Sequence, residues 1–321
     1  MLVSAAALLA LAGCAGIGET RRFESADPAF VDRLGAAPMR TVEGGFLAPT
    51  SAPPWPAVVM LHQSLGQGRQ DAAYAERLAA AGYAVLAVDS FGPRGVERTI
   101  EDQSAVSEAA MIQDAYGALD LLAADPRVDG RRVAVLGFSK GGVAAFYAAM
   151  ADIAEKAGPD GRRFAGHVAF YPWCGLKLRQ PKTTGAPILI LAGDADDVAP
   201  PALCRDRIAE IRRADPKARI EAVVYPGARH AFDHPMLAWF GRLRAGGQMP
   251  RECLIEETAP GRFVERKTGL AVTSASIGAA LEGCAVRGGT AGGDAAAAED
   301  ALQRLVAFLD AALGQARTAA R

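Results

Sequence analysis

Gly137-Phe138-Ser139-Lys140-Gly141-Gly142 sets a serine among glycines where an aliphatic run, 132–138, gives way to an Ala-rich segment. A serine hydroxyl is a poor nucleophile near neutral pH. It needs an imidazole to take its proton and a carboxylate to hold that imidazole in the right tautomer. The glycines have a steric reason: a sharp strand-to-helix turn leaves no room for side chains beside the nucleophile, and Ser139 must hold a strained backbone to lift its hydroxyl. With 35 glycines in 321 residues the G-x-S-x-G string alone is weak, and an inert Gly-rich turn competes with it. The position between strand and helix is what makes it a nucleophile elbow.

The chain has four histidines. His230 lies in Tyr225-Pro226-Gly227-Ala228-Arg229-His230-Ala231-Phe232, directly after an aliphatic run, and is the candidate base; His234 is the second candidate. His167 begins a strand and reads as structural, while His62 ends one and reads as shaping the loop that follows. For the acid, Leu191-Ala192-Gly193-Asp194-Ala195-Asp196-Asp197-Val198-Ala199-Pro200 offers three carboxylates. Asp196 is taken as the acid and Asp197 as its alternative, in the chain order Ser, Asp, His. A solvated turn or a metal loop would also be acidic, but no spaced liganding pattern follows. A developing oxyanion needs rigid N–H donors. The Lys140 backbone offers one, and the segment His62-Gln63-Ser64-Leu65-Gly66 offers the other, assigned to Ser64 with Gln63 as neighbour.

Positioning these loops requires a scaffold in which strands end on one rim. Continuous apolar runs at 57–62, 83–89, 132–138, 167–171, 187–192 and 220–225 read as strands buried on both faces, with 41–47 as an antiparallel edge. Segments 70–81, 104–124, 140–157, 202–214 and 295–313 read as helices between them. Asp125-Pro126 and Asp215-Pro216 end two of these, because the residue before proline is pushed out of the helical region. The alternation is an α/β pattern. The predicted organisation is a signal peptide at 1–13, a tether and lead-in at 14–40, and one domain at 41–315 with an irregular excursion at 242–294.

Half the residues are hydrophobic, enough for a sizeable core, and 35 Lys and Arg against 36 Asp and Glu give a net charge of −1. That balance argues against nucleic-acid binding. The apolar run 2–13 is too short to cross a bilayer core of roughly 30 Å and has signal-peptide length. It closes on Leu11-Ala12-Gly13-Cys14, which resembles a bacterial lipobox, although no Lys or Arg precedes it. The resemblance implies cleavage before Cys14 and a lipid on its thiol; an ordinary export signal with an incidental cysteine is the alternative. Export would put Cys174, Cys204, Cys253 and Cys284 in an oxidising compartment. Cys174 and Cys204 each follow a predicted strand end, which adjacent parallel strands would bring together, and Cys253 and Cys284 bracket one irregular segment, so 174–204 and 253–284 are the expected pairs, against free buried thiols.

The elbow, the acid loop, the His230 loop and Asp89-Ser90-Phe91-Gly92-Pro93-Arg94-Gly95 together resemble the dienelactone hydrolase family over residues 41–313. The resemblance implies an α/β-hydrolase fold, with a mostly parallel central sheet and helices on both faces. The family's usual cysteine nucleophile is Ser139 here, and its acidic residue on the oxyanion side is Gln63. Both departures favour a serine esterase. Arg94 resembles a family arginine that binds a substrate carboxylate; a plain surface charge is the other reading. The expectation is a monomeric serine hydrolase, lipid-anchored on the periplasmic side of a bacterial cell envelope, that cleaves a small-molecule carboxylic ester or lactone through an acyl-enzyme. It implies no metal or organic cofactor. Carbohydrate acetyl esters or peptides on the same fold, or a non-catalytic envelope binding protein, are the alternatives.

Overall fold

The computed structural model describes residues 17–158, 160–234 and 246–314. Cys14 and the apolar run before it lie outside them. In chain order the first half comprises β1 (Glu19–Ala26), β2 (Met39–Leu47), β3 (Trp55–Leu61), α1 (Arg69–Ala80), β4 (Ala84–Asp89), α2 (Glu108–Ala124) and β5 (Val128–Phe138). Then follow α3 (Lys140–Tyr147), α4 (Ala151–Ala157), β6 (Gly166–Phe170), β7 (Leu176–Lys177), β8 (Ile188–Gly193), α5 (Pro201–Ala214) and β9 (Ile220–Tyr225). An accessory segment carries β10 (Gln248–Met249), β11 (Ile255–Ala259), β12 (Arg262–Glu265), β13 (Ala271–Val272), α6 (Ile277–Cys284) and β14 (Val286–Arg287), and α7 (Ala295–Leu313) ends the fold.

Eight strands make one sheet in the order β1-β2-β4-β3-β5-β6-β8-β9. From β4 to β9 every neighbour is parallel; β1 and β2 are antiparallel. Successive side chains of a strand point to opposite faces, and β3 buries both sets. Val59 and Leu61 join the core made with α2 and α3, and Val58 and Met60 join the core made with α1 and α7. Apolar burial on both faces is what makes the strands read as unbroken aliphatic runs.

Three expectations need correction. The supposed tether at 14–40 contains β1, which pairs with β2 from Glu19↔Phe46 to Ala26↔Met39. Its charged residues hid it: the first four side chains are exposed or half-buried and only Phe23, Ser25 and Ala26 are buried, as on an edge strand. The single helix expected over 140–157 is two, because Met150 turns extended and the chain docks on the 182–184 loop through Ala151 N–H to Lys182 O and Thr184 N–H to Ala149 O, at 2.8 and 2.9 Å. No breaker in the sequence marks that exit. The excursion is not irregular. Its strands β13, β12 and β11 form a small sheet that continues onto β7 of the main body, and β10 pairs with β14. The carboxylate of Glu265, fully buried, organises this unit by accepting from the Thr268 N–H and hydroxyl at 2.7 and 2.8 Å and from the Leu254 and Lys267 amides.

Disulfides join Cys174 to Cys204 and Cys253 to Cys284, the expected pairs. The first ties the chain after β6 to α5, and the second staples α6 to the entry of β11. Closing loops of 30 and 31 residues constrains the unfolded chain by about 3.7 kcal/mol each. Persistent disulfides mark an oxidising compartment. Among the described residues no helix is long and apolar enough to cross a membrane.

His167, at the start of β6, has no solvent exposure and shares a hydrogen bond with the Ala145 carbonyl at 3.0 Å through Nδ1. Burial pushes its imidazole down to about 4. Because the unfolded imidazole titrates near 6.5, the unfolded chain takes the proton first. The stability contributed by neutral His167 is complete above that pH and is lost as pH falls toward 4, at roughly 1.4 kcal/mol per pH unit. Buried Asp71, pushed up to about 7, acts with the opposite sign, so the test is a difference. Urea midpoints of His167→Gln and the wild type are expected to converge as pH drops from 6.5 to 4.5; a constant gap would contradict this.

Candidate active site

Ser139 stands between the end of β5 and the start of α3 with φ 50° and ψ −111°, a region that non-glycine residues seldom occupy. Neighbouring glycines make the turn possible. A Cβ on Gly137 would sit 2.0 Å from the Gly141 carbonyl oxygen, and one on Gly141 would sit 2.3 Å from that of Leu61. Gly142 is likewise closed off by the Phe170 carbonyl at 2.6 Å. Strand, turn and helix thus touch backbone to backbone, and Ser139 N–H donates to the Phe170 carbonyl at 2.9 Å.

The loops after β8 and β9 bring the other two groups to the same rim. His230 Nε2 lies 2.8 Å from Ser139 Oγ, and His230 Nδ1 lies 2.8 Å from Asp196 Oδ2. The remaining oxygen of Asp196 accepts the Val198 and Ala199 amides, both at 2.8 Å, so the buried carboxylate is fully engaged. Backbone contact locks the two loops together: a Cβ on Gly193 would meet the Ala228 carbonyl at 2.1 Å, and Gly227 N–H donates to Asp194 at 2.6 Å. Asp197, the alternative acid, turns away to the Thr290 amide and hydroxyl. His234, the alternative base, lines a separate groove with Tyr74 and Asp233. A donor, a relay and an orienting carboxylate in this array can deprotonate a hydroxyl and return the proton to a leaving group.

A cavity of about 50 Å³ opens beside Ser139 and His230, and Gln63, Ser64 and Lys140 line it. Ser64 is held by its carbonyl, which accepts Thr99 N–H at 2.8 Å, and by its hydroxyl, which donates to Gln103 at 3.0 Å. His62 shapes this turn. Nδ1 bonds the Gln63 carbonyl at 2.8 Å and Nε2 accepts Ser90 N–H at 3.2 Å, so the ring is the Nδ1–H tautomer, and burial holds its pKa below the ordinary imidazole value.

Arg94 is a correction. It does not line the cavity; its side chain, 5% exposed, is spent on Asp114 at 2.8 Å and Asp27 at 2.7 Å. Asp114 is fully buried and accepts two of the Arg94 nitrogens, so pulling that arginine toward a ligand would strand a buried carboxylate.

Several residues of the site gave no signal in the sequence. Lys140 Nζ, treated above only through its backbone, reaches Gln103 O at 2.8 Å and Glu108 Oε1 at 2.9 Å. Trp173, Met249 and Pro250 wall the cavity, the last two from the accessory segment. Behind His230, Asp233 accepts from Gln70, Tyr74 and Tyr171 at 2.8, 2.7 and 2.7 Å. Burial pushes the Asp233 carboxyl up, against the pull of those three donors. The Tyr171 ring packs edge-on to His230 with centroids 4.8 Å apart, and Gln70 also accepts from Gln63 at 3.1 Å. One polar network therefore supports the imidazole loop and the Ser64 turn together.

The model of the dienelactone hydrolase family matches residues 42–239, which hold Ser139, Asp196 and His230. The chain belongs to that family. A candidate carboxymethylenebutenolidase of Methylorubrum extorquens is 29% identical over 194 residues, covering 57% of this chain and 65% of the relative. The chain thus spans slightly less than two thirds of that relative's length. Among solved structures, a dienelactone hydrolase-like promiscuous phosphotriesterase from metagenomic libraries superposes with TM-score 0.55 at 19% identity, over 92% of this chain and 99% of its own. A candidate dienelactone hydrolase from Klebsiella pneumoniae gives 0.53 at 19%, over 91% and 99%. At that identity the likeness shows the fold. The family match ends before the accessory segment that carries Met249 and Pro250.

Replacing Asp233 with Ala leaves the two buried hydroxyls of Tyr74 and Tyr171 without an acceptor, while Gln70 keeps the Tyr171 oxygen at 3.1 Å. The replacement is expected to cost about 3 kcal/mol, read by urea denaturation; a loss under 1 kcal/mol would show that the network carries no load.

Proposed function

We propose that this protein is a serine hydrolase that cleaves a small carboxylic ester or lactone through an acyl-enzyme. The observation that carries this reading is the unbroken line Ser139 Oγ, His230, Asp196, with both links 2.8 Å long, at the wall of a cavity. Ser139 Oγ attacks the carbonyl carbon while His230 Nε2 takes its proton. Asp196 keeps the other ring proton on Nδ1 and stabilises the imidazolium. The carbonyl electrons move onto oxygen, where the Ser64 and Lys140 backbone N–H groups serve as donors. Collapse expels the alcohol, which leaves with the proton from His230. Water, deprotonated by the same imidazole, then attacks the acyl-enzyme and frees Ser139 and a carboxylic acid.

Glu108 gives Lys140 its partner, so the lysine side chain neutralises a carboxylate instead of competing for the serine proton. The expected result is that a fluorophosphonate probe labels Ser139 in the wild type and nothing in Ser139→Ala. That variant should lose p-nitrophenyl ester turnover by at least about 10⁴-fold, and Asp196→Asn by about 10⁴-fold through the wrong tautomer. Turnover that survives Ser139→Ala with an intact circular dichroism spectrum sinks the mechanism.

We also place the protein on the periplasmic side of a bacterial cell envelope, anchored by a lipid on Cys14. The disulfides and the apolar run 2–13 support this. The mature chain is expected to begin at a diacylated Cys14 in the mass spectrum of the membrane fraction; an unmodified Cys14 there excludes the anchor.

A further inference from the structure

A second cavity of about 50 Å³ lies directly behind the first. Gln103, Glu108, Val143, Trp173 and Pro250 line both. Beyond that shared wall the second space is walled chiefly by apolar groups, among them Phe30 from the lead-in, Ala109 and Ile112 from α2, and Ile277 and Leu281 from α6. Ser139 and His230 line only the first cavity. Ser107 and Tyr147 also line it, but their hydroxyls donate to the Pro28 and Leu176 carbonyls, so the space keeps the apolar character of a ligand pocket.

Charge narrows the ligand further. Lys140 is the one cation among the described residues lining either cavity, and its side chain, 1% exposed, is neutralised by Glu108. Arg94, the other nearby cation of the elbow side, is held by Asp114 and Asp27. Nothing described there offers a substrate carboxylate a free positive partner.

We propose that the two cavities form one acyl channel, so that the substrate is an uncharged ester whose hydrophobic acyl chain runs from Ser139 past Val143 and Trp173 into the space between α2 and α6. The polarity of binding follows from the chemistry. His230 returns its proton to the departing alcohol, so the alcohol lies on the His230 side. Val143, one turn along α3 from Lys140, leads the other way. Each cavity holds roughly three or four water-sized groups, which suits an acyl chain of roughly four to eight carbons. The inference rests on Ser139 being the acylated residue.

The test is kcat/KM for neutral p-nitrophenyl esters from acetate to decanoate, with the monosuccinate ester as a charged probe. The expected profile rises about fourfold per methylene to an optimum between butanoate and octanoate, with monosuccinate at least tenfold below butanoate. Leu281→Trp and Ala109→Phe fill the far cavity from opposite walls, and hexanoate should fall at least tenfold in each while acetate stays within twofold. If both fillers fail to fold by circular dichroism, Ile277→Ala, which lengthens the space, should move the optimum out by one or two carbons. A profile that favours acetate, equal losses on acetate and hexanoate, an unmoved optimum in Ile277→Ala, or monosuccinate matching butanoate overturns the channel and leaves the Ser139 mechanism standing. A readout without turnover separates the reverse case: in Ser139→Ala, quenching of tryptophan fluorescence by neutral alkanoate esters should strengthen with acyl length. Length-independent quenching overturns the channel, whereas length dependence in a protein whose wild type cleaves no ester keeps the channel and overturns the mechanism.

Discussion

The tight backbone contact at the strand-to-helix turn governs the rest of the molecule. Carbonyl oxygens of Leu61, Gly141 and Phe170 occupy the places where side chains of 137, 141 and 142 would be, so hydrogen is the largest group tolerated there. That closeness holds Ser139 in its left-handed conformation and brings α3 down onto β3 and β6. From this fixed point the neighbouring parallel strands deliver their loops to one rim, as open α/β sheets do at the ends of their strands. The strained backbone of Ser139 is sustained only because the packing around it over-determines it.

The same molecule keeps its buried charges in closed accounts. Asp196 takes two amides and an imidazole, Asp114 takes Arg94, Glu265 takes the 267–268 turn, and Asp233 takes a glutamine and two tyrosines. Each carboxylate sits where a loop must hold one shape, and buried acceptors without donors would be costly. Lys140 follows the rule with Glu108. This pairing is why a cavity next to a lysine and near an arginine presents little net charge to a ligand.

Much of this was legible from residue order. The elbow, the acid loop and the His230 loop carry their own glycines and turns, and their strands are continuous apolar runs because they are covered on both faces. Strand ends pointed to the 174–204 disulfide, and the irregular segment between Cys253 and Cys284 to the other. What stayed hidden depends on partners far along the chain. β1 exists because β2 supplies its ladder, so its charged, half-exposed sequence looked like a tether. Helix 140–157 breaks because residues 182–184 capture its middle, and Arg94 is diverted by Asp114, twenty residues away on α2. Trp173, Met249 and Pro250 acquire meaning only once the accessory sheet has continued the strand edge at β7.

A parallel strand-like bridge joins His230 to Ala291. Gly292 N–H donates to the His230 carbonyl and Asp294 N–H to that of Phe232, so the chain leaving the accessory unit forms the outer brace of the imidazole loop. The accessory unit and the loop that carries His230 are thus mechanically one piece at that seam. Exchanging modules between homologues to re-tailor selectivity must therefore place its downstream junction ahead of Ala291, leaving the native brace in the recipient, since a graft cut later would import a foreign support for the histidine.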